Sequence, residues 1–427
     1  MPPIPDHPLR YDLANELHAR PFPTLGADSR AILLAMKRPQ DGPLGDQEAD
    51  RRHLLALLDR HGTPHPRPDA THFSGQIGRL HLKWEQHTEF VTYTVFGAGL
   101  GDRPFDPDIW EIFPQEWLAG APGARITSAQ IHIESRGTAD AEISQRLKTW
   151  FVSESLAASA ILDDSAIIAS DFRIDMGGHM RFAIFTSPDI GPARIGRILQ
   201  RLCEIETYKT MAMLGLPQAR ALNIRMAAID DGLAQLLDGM AVSDAPAEAA
   251  LEQLLALATE LETLMSRSAF RFGATGAYEA IVNSRIAVLR EGRFLGAQTF
   301  AEFMMRRFDP AMRTVTSTEH RLRSLTDRAG RAGDLLRTKV EVDRSAQNQD
   351  LLARMDKRAA LQLRLQETVE GLSVVAISYY AVNLLSYLLA PIAYRFGAEK
   401  PLLTALLVLP VVAAVWFLTR RIRKSIH

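Results

Sequence analysis

Cysteine is nearly absent from this 427-residue sequence, which contains only Cys203. A single thiol excludes an internal disulfide framework and is typical of a reducing compartment. The first residues also lack the basic segment and apolar core of a secretory signal peptide. We therefore expect the long N-terminal part of the chain to stay in the cytoplasm.

Neither sign of charge dominates, since 49 Lys and Arg residues balance 50 Asp and Glu residues, and no basic patch suggests a nucleic-acid partner. The sequence also lacks a G-x-x-x-x-G-K-[ST] phosphate loop and a G-x-S-x-G nucleophile elbow. The stretch GAGLGD at Gly97–Asp102 resembles half of a dinucleotide loop, but Arg103 and Pro104 stand where a helix should begin. We predict a turn there, and we do not expect an enzyme, because no catalytic group of residues emerges.

Charge is missing altogether from two stretches near the C-terminus, residues 371–394 and residues 401–419. A bilayer core needs roughly 20 helical residues, and each stretch provides about that number. The pattern predicts two transmembrane helices joined by a short outer connection at residues 395–400.

Basic residues are concentrated before the first predicted span and after the second. They are Arg354, Lys357, Arg358 and Arg364 before the first span, and Arg420, Arg421, Arg423 and Lys424 in the tail at residues 420–427. The connection carries only Arg395 and Lys400. By the positive-inside rule we expect both chain ends to lie in the cytoplasm and the short connection to face outward.

Residues 1–190 alternate strand-like and irregular stretches, which predicts a mixed α/β domain with a six- or seven-stranded sheet. Residues 79–85 and 89–96 have the pattern of two strands joined by a tight turn at residues 86–88. Further strands are predicted at residues 31–36, 124–134, 165–175 and 179–187, with a helix at residues 139–151.

Residues 191–309 have a helical period and strong helix formers throughout. Pro192 suits the first turn of a helix, and apolar residues from Ile195 to Ile205 form one stripe. We predict four or five helices that form an antiparallel layer against the sheet. The fold class expected for the cytoplasmic part is therefore α+β, a mixed sheet with a helical layer.

Proline is absent between Pro310 and Pro391, so residues 310–370 are predicted to form one stalk helix that continues into the first span. From residue 310 to residue 394 this continuous helix is about 130 Å long, at 1.5 Å per residue, which is too long for it to bury itself in one small domain. A seven-residue repeat supports packing of this helix along copies of the chain or along neighbouring helices. The repeat comprises Val315, Leu322, Leu325, Ala329, Ala332 and Leu336, and after a shift near Val340 the stripe resumes at Leu351 and continues into the membrane.

One amide, Asn383, interrupts the first apolar stretch. Hydrocarbon offers an amide no hydrogen-bond partner, so this side chain must meet protein or water. At 100° per residue, Asn383 shares a helix face with Tyr379 and Ser386. Either Asn383 forms a hydrogen bond across a helix interface or it lines a hydrated pore on a symmetry axis, and the spacing alone leaves both readings open.

The chain is expected to consist of an α/β domain, a helical layer, a long stalk helix that enters the membrane, a short outer connection, a second span and a basic tail. This order resembles that of the CorA-type magnesium and cobalt transporters, whose first span ends in Tyr-Gly-Met-Asn. Here the corresponding residues are Tyr380-Ala381-Val382-Asn383. The resemblance implies a homopentameric funnel in which the first spans line the pore and Asn383 meets a hydrated cation. Mg²⁺ or another divalent cation is the implied transported or regulatory ion. The implied site residues are Asn383, Tyr379, Ser386 and Tyr380 facing the axis, with Glu367 and Glu370 at the pore entrance.

A second resemblance is closer in sequence. The stretches HPLRYDLANELHARPFPTL at residues 7–25 and LQETVEGLSVVAISYYAVNLL at residues 365–385 are similar to a bacterial family of predicted membrane-anchored proteins of unknown function. This resemblance covers nearly the whole chain and implies a membrane anchor, but it implies no activity.

Three other groups of polar residues have the composition of a site. Four histidines have the density of a transition-metal site, but their proline-rich surroundings favour a solvated loop. They are His53, His61, His65 and His72. Polar residues of the N-terminal segment lack a paired nucleophile, which favours docking over catalysis. They are His7, Arg10, Asp12, Glu16, His18 and Arg20.

The third group is acidic and lies on the helices before the stalk. If these carboxylates lay between protomers, they would hold Mg²⁺ through its bound waters. The sequence instead favours the interpretation that they belong to ordinary helix faces exposed to solvent. The residues are Asp230, Asp231, Asp238, Glu248, Glu252, Glu260 and Glu262.

Two functions follow from these observations. The first is an oligomeric channel or transporter for a divalent cation, with no covalent catalysis. The alternative is a non-transporting, membrane-anchored scaffold or sensor whose cytoplasmic domain binds a partner. In both, the expected partners are the lipid bilayer and other copies of the chain.

Overall fold

The structure of the protein is a computed structural model that describes residues 4–16, 22–38, 47–137, 139–242, 247–395 and 400–426. The chain divides into two units, Met1–Gly333 and Asp334–His427. The first unit contains the described strands and most of the described helices. The second contains the greater part of one long helix and a final apolar helix.

The described part of the first unit contains one nine-stranded sheet. Its strands are β1 Ser29–Lys37, β2 His72–Ile77, β3 Leu80–Gln86, β4 Phe90–Ala98, β5 Ala124–Ser135, β6 Ala157–Ile161, β7 Ala166–Ser170, β8 Met180–Thr186 and β9 Gly292–Arg293. They lie in the order β2-β3-β4-β1-β5-β8-β7-β6-β9. Strands β5 and β8 are parallel and the other described pairs are antiparallel, so the sheet is mixed, as predicted.

The sheet is larger than the six or seven strands that the sequence predicts. The predicted hairpin is confirmed as β3 and β4, and the strands predicted at residues 31–36, 124–134 and 179–187 are confirmed as β1, β5 and β8. The strand predicted at residues 165–175 ends earlier, at Ser170. Strands β2, β6 and β9 were missed because β2 is polar, β6 consists mainly of alanine and serine, and β9 has only two residues.

The described helices from α4 onward agree with the predicted ones, whereas α1, α2 and α3 were not predicted. They are α1 Arg10–Glu16, α2 Gln47–Arg60, α3 Gln115–Ala119, α4 Asp140–Trp150, α5 Pro192–Met213, α6 Gly215–Val242, α7 Ala247–Leu289, α8 Phe300–Arg307, α9 Asp309–Arg395 and α10 Lys400–Ile426, with a 3₁₀ helix at Pro107–Ile112. Helix α4 confirms the helix predicted at residues 139–151. Helices α5 to α8 confirm four helices between residues 192 and 308, and α9 confirms the uninterrupted long helix.

Helices cover both faces of the sheet because its strands direct apolar side chains to alternate sides. On one face, Leu33, Ile131 and Ile184 pack with apolar residues of α5, α7 and α8. On the other face, Ile32 and Val95 pack with α2 and α3. The first unit therefore has a helical layer on each side of one sheet, and it is α+β, as predicted.

The segment that precedes β1 lies directly on helix α5. A Cβ atom placed on Gly196 would lie 1.7 Å from the carbonyl oxygen of Pro23, so only glycine permits this approach. The backbone N–H of Leu25 donates to the carbonyl oxygen of Pro192 at 3.4 Å. Gly196 therefore allows the N-terminal segment to close the gap between β1 and α5.

A buried ion pair joins the turn before β4 to helix α7. The guanidinium of Arg271 donates two hydrogen bonds to the Glu89 carboxylate, at 3.1 and 2.5 Å, and both side chains are at most 2 % exposed. The hydroxyl of Tyr278 donates a third at 2.9 Å. Burial, followed by the effect of the Glu89 carboxylate, raises the pKa of Tyr278, so this hydroxyl stays protonated and available as a donor.

The first part of α9 packs against its own chain. All six members of the predicted seven-residue repeat are buried, with at most 3 % of each exposed. The Asn223 amide donates to the Thr318 hydroxyl at 2.8 Å, and Asp230 on α6 pairs with both Arg321 and Arg328 on α9. This part of the stripe is therefore a contact face, as predicted, and helices of the same chain rather than other copies cover it.

We expect the substitution Gly196→Ala to lower the free energy of unfolding by about 1–3 kcal/mol, because a methyl group there would force the Pro23 backbone away from α5. Urea unfolding in mild detergent, followed by tryptophan fluorescence, measures this change in the first unit, since four of the five tryptophans lie there. Gly273→Ala in α7 is the matched control. A Cβ atom there meets nothing within 4 Å, so we expect stability to rise by up to about 1 kcal/mol. Equal midpoints for the two variants would contradict the prediction.

We expect Arg271→Met to cost about 3–5 kcal/mol in the same unfolding assay, because it leaves the Glu89 carboxylate buried without its main partner. The double variant Glu89→Gln, Arg271→Met removes the uncompensated charge as well. It should therefore be more stable than Arg271→Met alone. A double variant as unstable as the single one would show that the pair does not act through charge compensation.

Candidate functional site

Two helical segments are long and apolar enough to cross a membrane. The first lies within Asp309–Ile392 and the second is Pro401–Arg421. Only 17 % and 6 % of their apolar windows are buried, whereas the core helix of a soluble protein buries most of such a surface. Exposed apolar surfaces of this size suit lipid, which supports membrane association. Residues 396–399 of the predicted outer connection lie outside the described residues.

Each apolar helix has one narrow buried stripe. On α9 this stripe comprises Ser378, Val382 and Ser386, which are four residues apart and at most 7 % exposed. On α10 the most buried residue is Val411, at 8 % exposed. Small residues and hydroxyls allow membrane helices to approach closely, so we infer that the two helices pack along these stripes. Ser386, predicted to face an axis, thus lies in the buried stripe, and its hydroxyl donates to the Val382 carbonyl at 2.7 Å.

Asn383 lies beside the buried stripe rather than within it. It follows Val382 by one residue, so its side chain projects roughly 100° around the helix from the centre of that stripe. Its Nδ2 donates to the carbonyl oxygen of Tyr379 at 3.1 Å, one turn earlier in the same helix. Among the described residues, no partner is recorded for the Asn383 Oδ1 atom. A single copy therefore leaves one amide oxygen of the apolar segment on a partly exposed helix face.

The remaining residues predicted for the site are exposed in one copy. Tyr379 and Tyr380 are each 67 % exposed, and their rings contact each other at a centroid distance of 5.7 Å. Glu367 and Glu370 are exposed on α9 before the apolar segment. Whether these four residues surround an axis together with Asn383 depends on other copies of the chain, so the predicted pore lining stays a prediction.

Large apolar side chains are also exposed on the charged part of α9, before the apolar segment. Leu351, Met355, Leu365 and Val369 are each at least 54 % exposed, although basic and acidic residues surround them in the sequence. At 100° per residue they lie within an arc of about 80°, on the same side of the helix as Asn383. The stripe that the sequence predicts therefore exists here as an uncovered surface, in contrast to its buried first part.

The four histidines do not form a site. His53 is buried in α2, where its ring nitrogens lie 3.1 Å from the Tyr93 hydroxyl and 2.9 Å from the Trp117 carbonyl oxygen. Burial lowers its pKa, which favours the neutral ring. His65 lies 2.6 Å from the Asp59 carboxylate, away from this core. Among the described residues there is no group of three or more His, Cys, Asp or Glu side chains that would hold a metal ion.

The acidic residues of the helical layer are used in ion pairs or face solvent. Asp230 pairs with arginines of α9, and Glu260 pairs with Arg225. The others are exposed, as expected for solvated helix faces, and they are Asp231, Asp238, Glu248, Glu252 and Glu262. Positive charge next to Asp230 and Glu260 disfavours a Mg²⁺ site at these carboxylates.

The N-terminal segment and the glycine-rich stretch also have simple roles in the described chain. Arg10 pairs with Asp6 at the start of the exposed helix α1. His18, Arg20 and the side chains of Asp12 and Glu16 lie outside the described residues. The GAGLGD stretch ends β4 and continues as a loop with Gly99 and Gly101 at positive φ, which confirms the predicted turn.

The fold brings together a group of polar residues beneath α5 that no pattern in the sequence indicates. Lys83 and Glu85 on β3, Gln200 and Glu204 on α5, and Arg285 on α7 line a cavity of about 220 Å³ in the first unit. In the sequence, the two β3 residues alternate with apolar ones. This alternation is typical of a strand with one face exposed to solvent. It therefore did not indicate that the face of β3 with Lys83 and Glu85 is covered.

The chain belongs to the family described as "Protein of unknown function (DUF3422)", which matches residues 5–426. The predicted membership of an uncharacterised bacterial family over nearly the whole chain is thereby confirmed. Comparison with curated proteins and with solved structures gives no match. The comparisons therefore lend no support to the resemblance to the CorA-type transporters.

Proposed function

We propose that this protein is a homo-oligomeric divalent-cation channel or transporter of CorA-like build in the bacterial inner membrane. In this proposal the apolar parts of α9 from several copies surround a central axis, and α10 packs outside them. Ions pass through the centre without covalent catalysis. The CorA-like build includes five copies, with Asn383 facing the axis.

The observation that carries the proposal is the position of the Asn383 amide. Its Oδ1 atom has no hydrogen-bond partner among the described residues, and Val382, at the centre of the buried stripe, lies roughly 100° around the helix from it. An amide oxygen facing lipid is unfavourable, because hydrocarbon provides no donor. Copies that meet on the Asn383 side would place this oxygen toward water and a hydrated cation instead.

The uncovered apolar stripe on the charged part of α9 supports assembly of several copies. Leu351 and Val369 lie outside the charge-free stretch, so lipid does not cover them. A helix with large exposed apolar side chains is stable in water only when other helices cover that face. Because the stripe lies on the same side as Asn383, identical copies packed along it would also meet around Asn383 in the membrane.

The charges near the membrane support the orientation and the sign of the ion. Arg420 stacks over Trp416 at 4.9 Å near the end of α10, the arrangement expected where a span reaches an interface with a basic cytoplasmic side. Exposed Glu367 and Glu370, repeated in each copy, would form carboxylate rings at the cytoplasmic entrance. Such rings favour cations over anions.

A second candidate is a membrane-anchored scaffold or sensor in which the same helices form a dry bundle. The observation that favours it is the polar cavity beneath α5, which gives the cytoplasmic part a place to bind a small molecule. In that case Asn383 forms a hydrogen bond between helices and no ion crosses the membrane.

We expect purified protein in liposomes to pass Mg²⁺ or Co²⁺, and we expect Asn383→Leu to lower that flux at least tenfold. The substitution removes the only amide in the apolar segment of α9 while keeping the side-chain volume similar. Flux is measured with an ion-sensitive dye trapped inside the liposomes.

The matched control for the flux assay is Leu388→Ala, because Leu388 is 69 % exposed and projects roughly 140° around the helix from Asn383. This variant should conduct as the unchanged chain does. An unchanged chain that forms a stable oligomer but passes no Mg²⁺, Co²⁺ or Zn²⁺ would rule out transport and leave the scaffold or sensor.

We also expect oxidation to join copies of Val369→Cys covalently, because Val369 lies on the uncovered stripe that copies share. Cys203 is buried and will not react, so the unchanged chain should stay uncrosslinked. Leu363→Cys, on another side of α9, is the matched control and should crosslink poorly. Light scattering in mild detergent then gives the number of copies. A dimer would contradict the proposed central pore.

A further inference from the structure

The cavity beneath α5 is polar inside a mostly apolar layer. The same face of the sheet packs apolar side chains such as Leu33 and Ile131 against the helices farther along. At the β3–β4 end, Lys83, Thr92 and Thr94 point into this layer instead, and each is at most 7 % exposed. Charged and hydroxyl groups are unfavourable there unless they are paired, so their presence calls for a partner.

The charged residues of the cavity form one connected network. The Lys83 ammonium donates to Gln200 Oε1 at 3.0 Å and lies 3.1 Å from Glu85 Oε2. Gln200 Nε2 in turn donates to Glu204 Oε1 at 2.8 Å, and Arg285 pairs with the other oxygen of Glu204. The network holds two positive and two negative charges, so its formal charge is zero.

One polar group at the cavity has no partner. The hydroxyl of Thr207 on α5 lines the cavity, and the residue is 3 % exposed. Its Oγ1 atom is buried without a hydrogen bond in the described part of the protein. A buried hydroxyl in that state is unfavourable, and a donor or acceptor from a molecule in the cavity would satisfy it.

The size and shape of the cavity restrict what enters. A volume of about 220 Å³ is below the range of roughly 300–1,000 Å³ typical of drug-sized ligands, which favours a small molecule over a nucleotide or a lipid chain. His87, Phe90 and Tyr208 add an aromatic wall, in which the His87 ring stacks on Phe90 at 4.2 Å. The site therefore suits a compact molecule with both polar and apolar parts.

We propose that this cavity binds a zwitterionic molecule of the size of a free amino acid. The carboxylates of Glu85 and Glu204 suit its ammonium group, and Lys83 and Arg285 suit its carboxylate. The Thr207 hydroxyl supplies a hydrogen bond, and the aromatic wall contacts the apolar part. A ligand with no net charge matches the neutral network, whereas a simple anion or cation would leave one pair uncompensated. The inference does not depend on ion transport.

The test uses the full-length protein in mild detergent and the twenty free amino acids, each added at millimolar concentration. Binding to the folded state raises the thermal midpoint, which tryptophan fluorescence measures, and titration calorimetry then gives the affinity. We expect one or a few amino acids to bind saturably. We also expect the amide or the deaminated form of the best ligand to bind at least tenfold more weakly, since each lacks one of the two charges.

Thr207→Val is the decisive variant because it keeps the shape of the side chain and removes only the hydroxyl. We expect it to weaken binding several-fold, and we expect Lys83→Met to abolish binding. Thr275→Val is the matched control. Thr275 is equally buried, donates to the Ala212 carbonyl at 3.2 Å and lies outside the cavity lining, so its substitution should leave the affinity unchanged.

Three results would overturn the proposal. One is a folded, full-length chain that binds none of the amino acids. Another is binding that Thr207→Val leaves unchanged, since Thr207→Val keeps the side-chain shape and tests the cavity even if Lys83→Met fails to fold. The third is binding that Thr275→Val weakens as much as Thr207→Val does, which would place the ligand elsewhere or reflect a general loss of stability.

Discussion

The absence of hydrogen-bond partners in hydrocarbon is the constraint from which the rest of this structure follows. It requires the two apolar segments to be helices, and it makes the Asn383 amide the exceptional group of the first one. It also explains the Ser386 hydroxyl, which is satisfied within its own helix. Among the described residues of a single copy, two groups of this segment do not meet the constraint, the amide oxygen of Asn383 and the buried hydroxyl of Ser378. The amide oxygen, together with the exposed apolar stripe before the membrane, gives a physical reason for several copies to assemble.

In the first unit, buried polar groups also need hydrogen-bond partners, but here they find them in other side chains. Here polar groups are buried in large numbers, but most are bound to one another, as Glu89 is to Arg271 and Glu206 is to Thr127 and Lys209. Such pairs connect the sheet to the helical layer at fixed points, which apolar contacts alone do not specify. The hydroxyl of Thr207 and the indole N–H of Trp84 are among the buried groups that have no partner in the described part of the protein, and Thr207 lines the cavity.

The sequence predicted those parts of the fold that a local pattern determines. Charge-free runs gave the spans, and the absence of proline gave the single helix α9. Alternation gave β3 and β4. Alternation did not predict β6, because its alanines and serines have little β preference. It also did not predict β9, which forms where a much later part of the chain returns to pair with β6. The cavity lies beyond local patterns for the same reason, since Lys83, Gln200 and Arg285 come from three distant elements. Periodicity also predicted the first part of the stripe on α9 as a contact face, but it did not distinguish copies of the chain from neighbouring helices as the partner.

The uninterrupted course of α9 within the second unit has a consequence for how this helix tolerates changes in length. Each residue of a helix is rotated by about 100° from the one before it, so the number of residues between Val369 and Asn383 sets the angle between them. Inserting one residue there would turn Asn383 by about 100° away from the side that carries the exposed apolar stripe. Inserting seven residues would leave a difference of only about 20° and would nearly restore the common side.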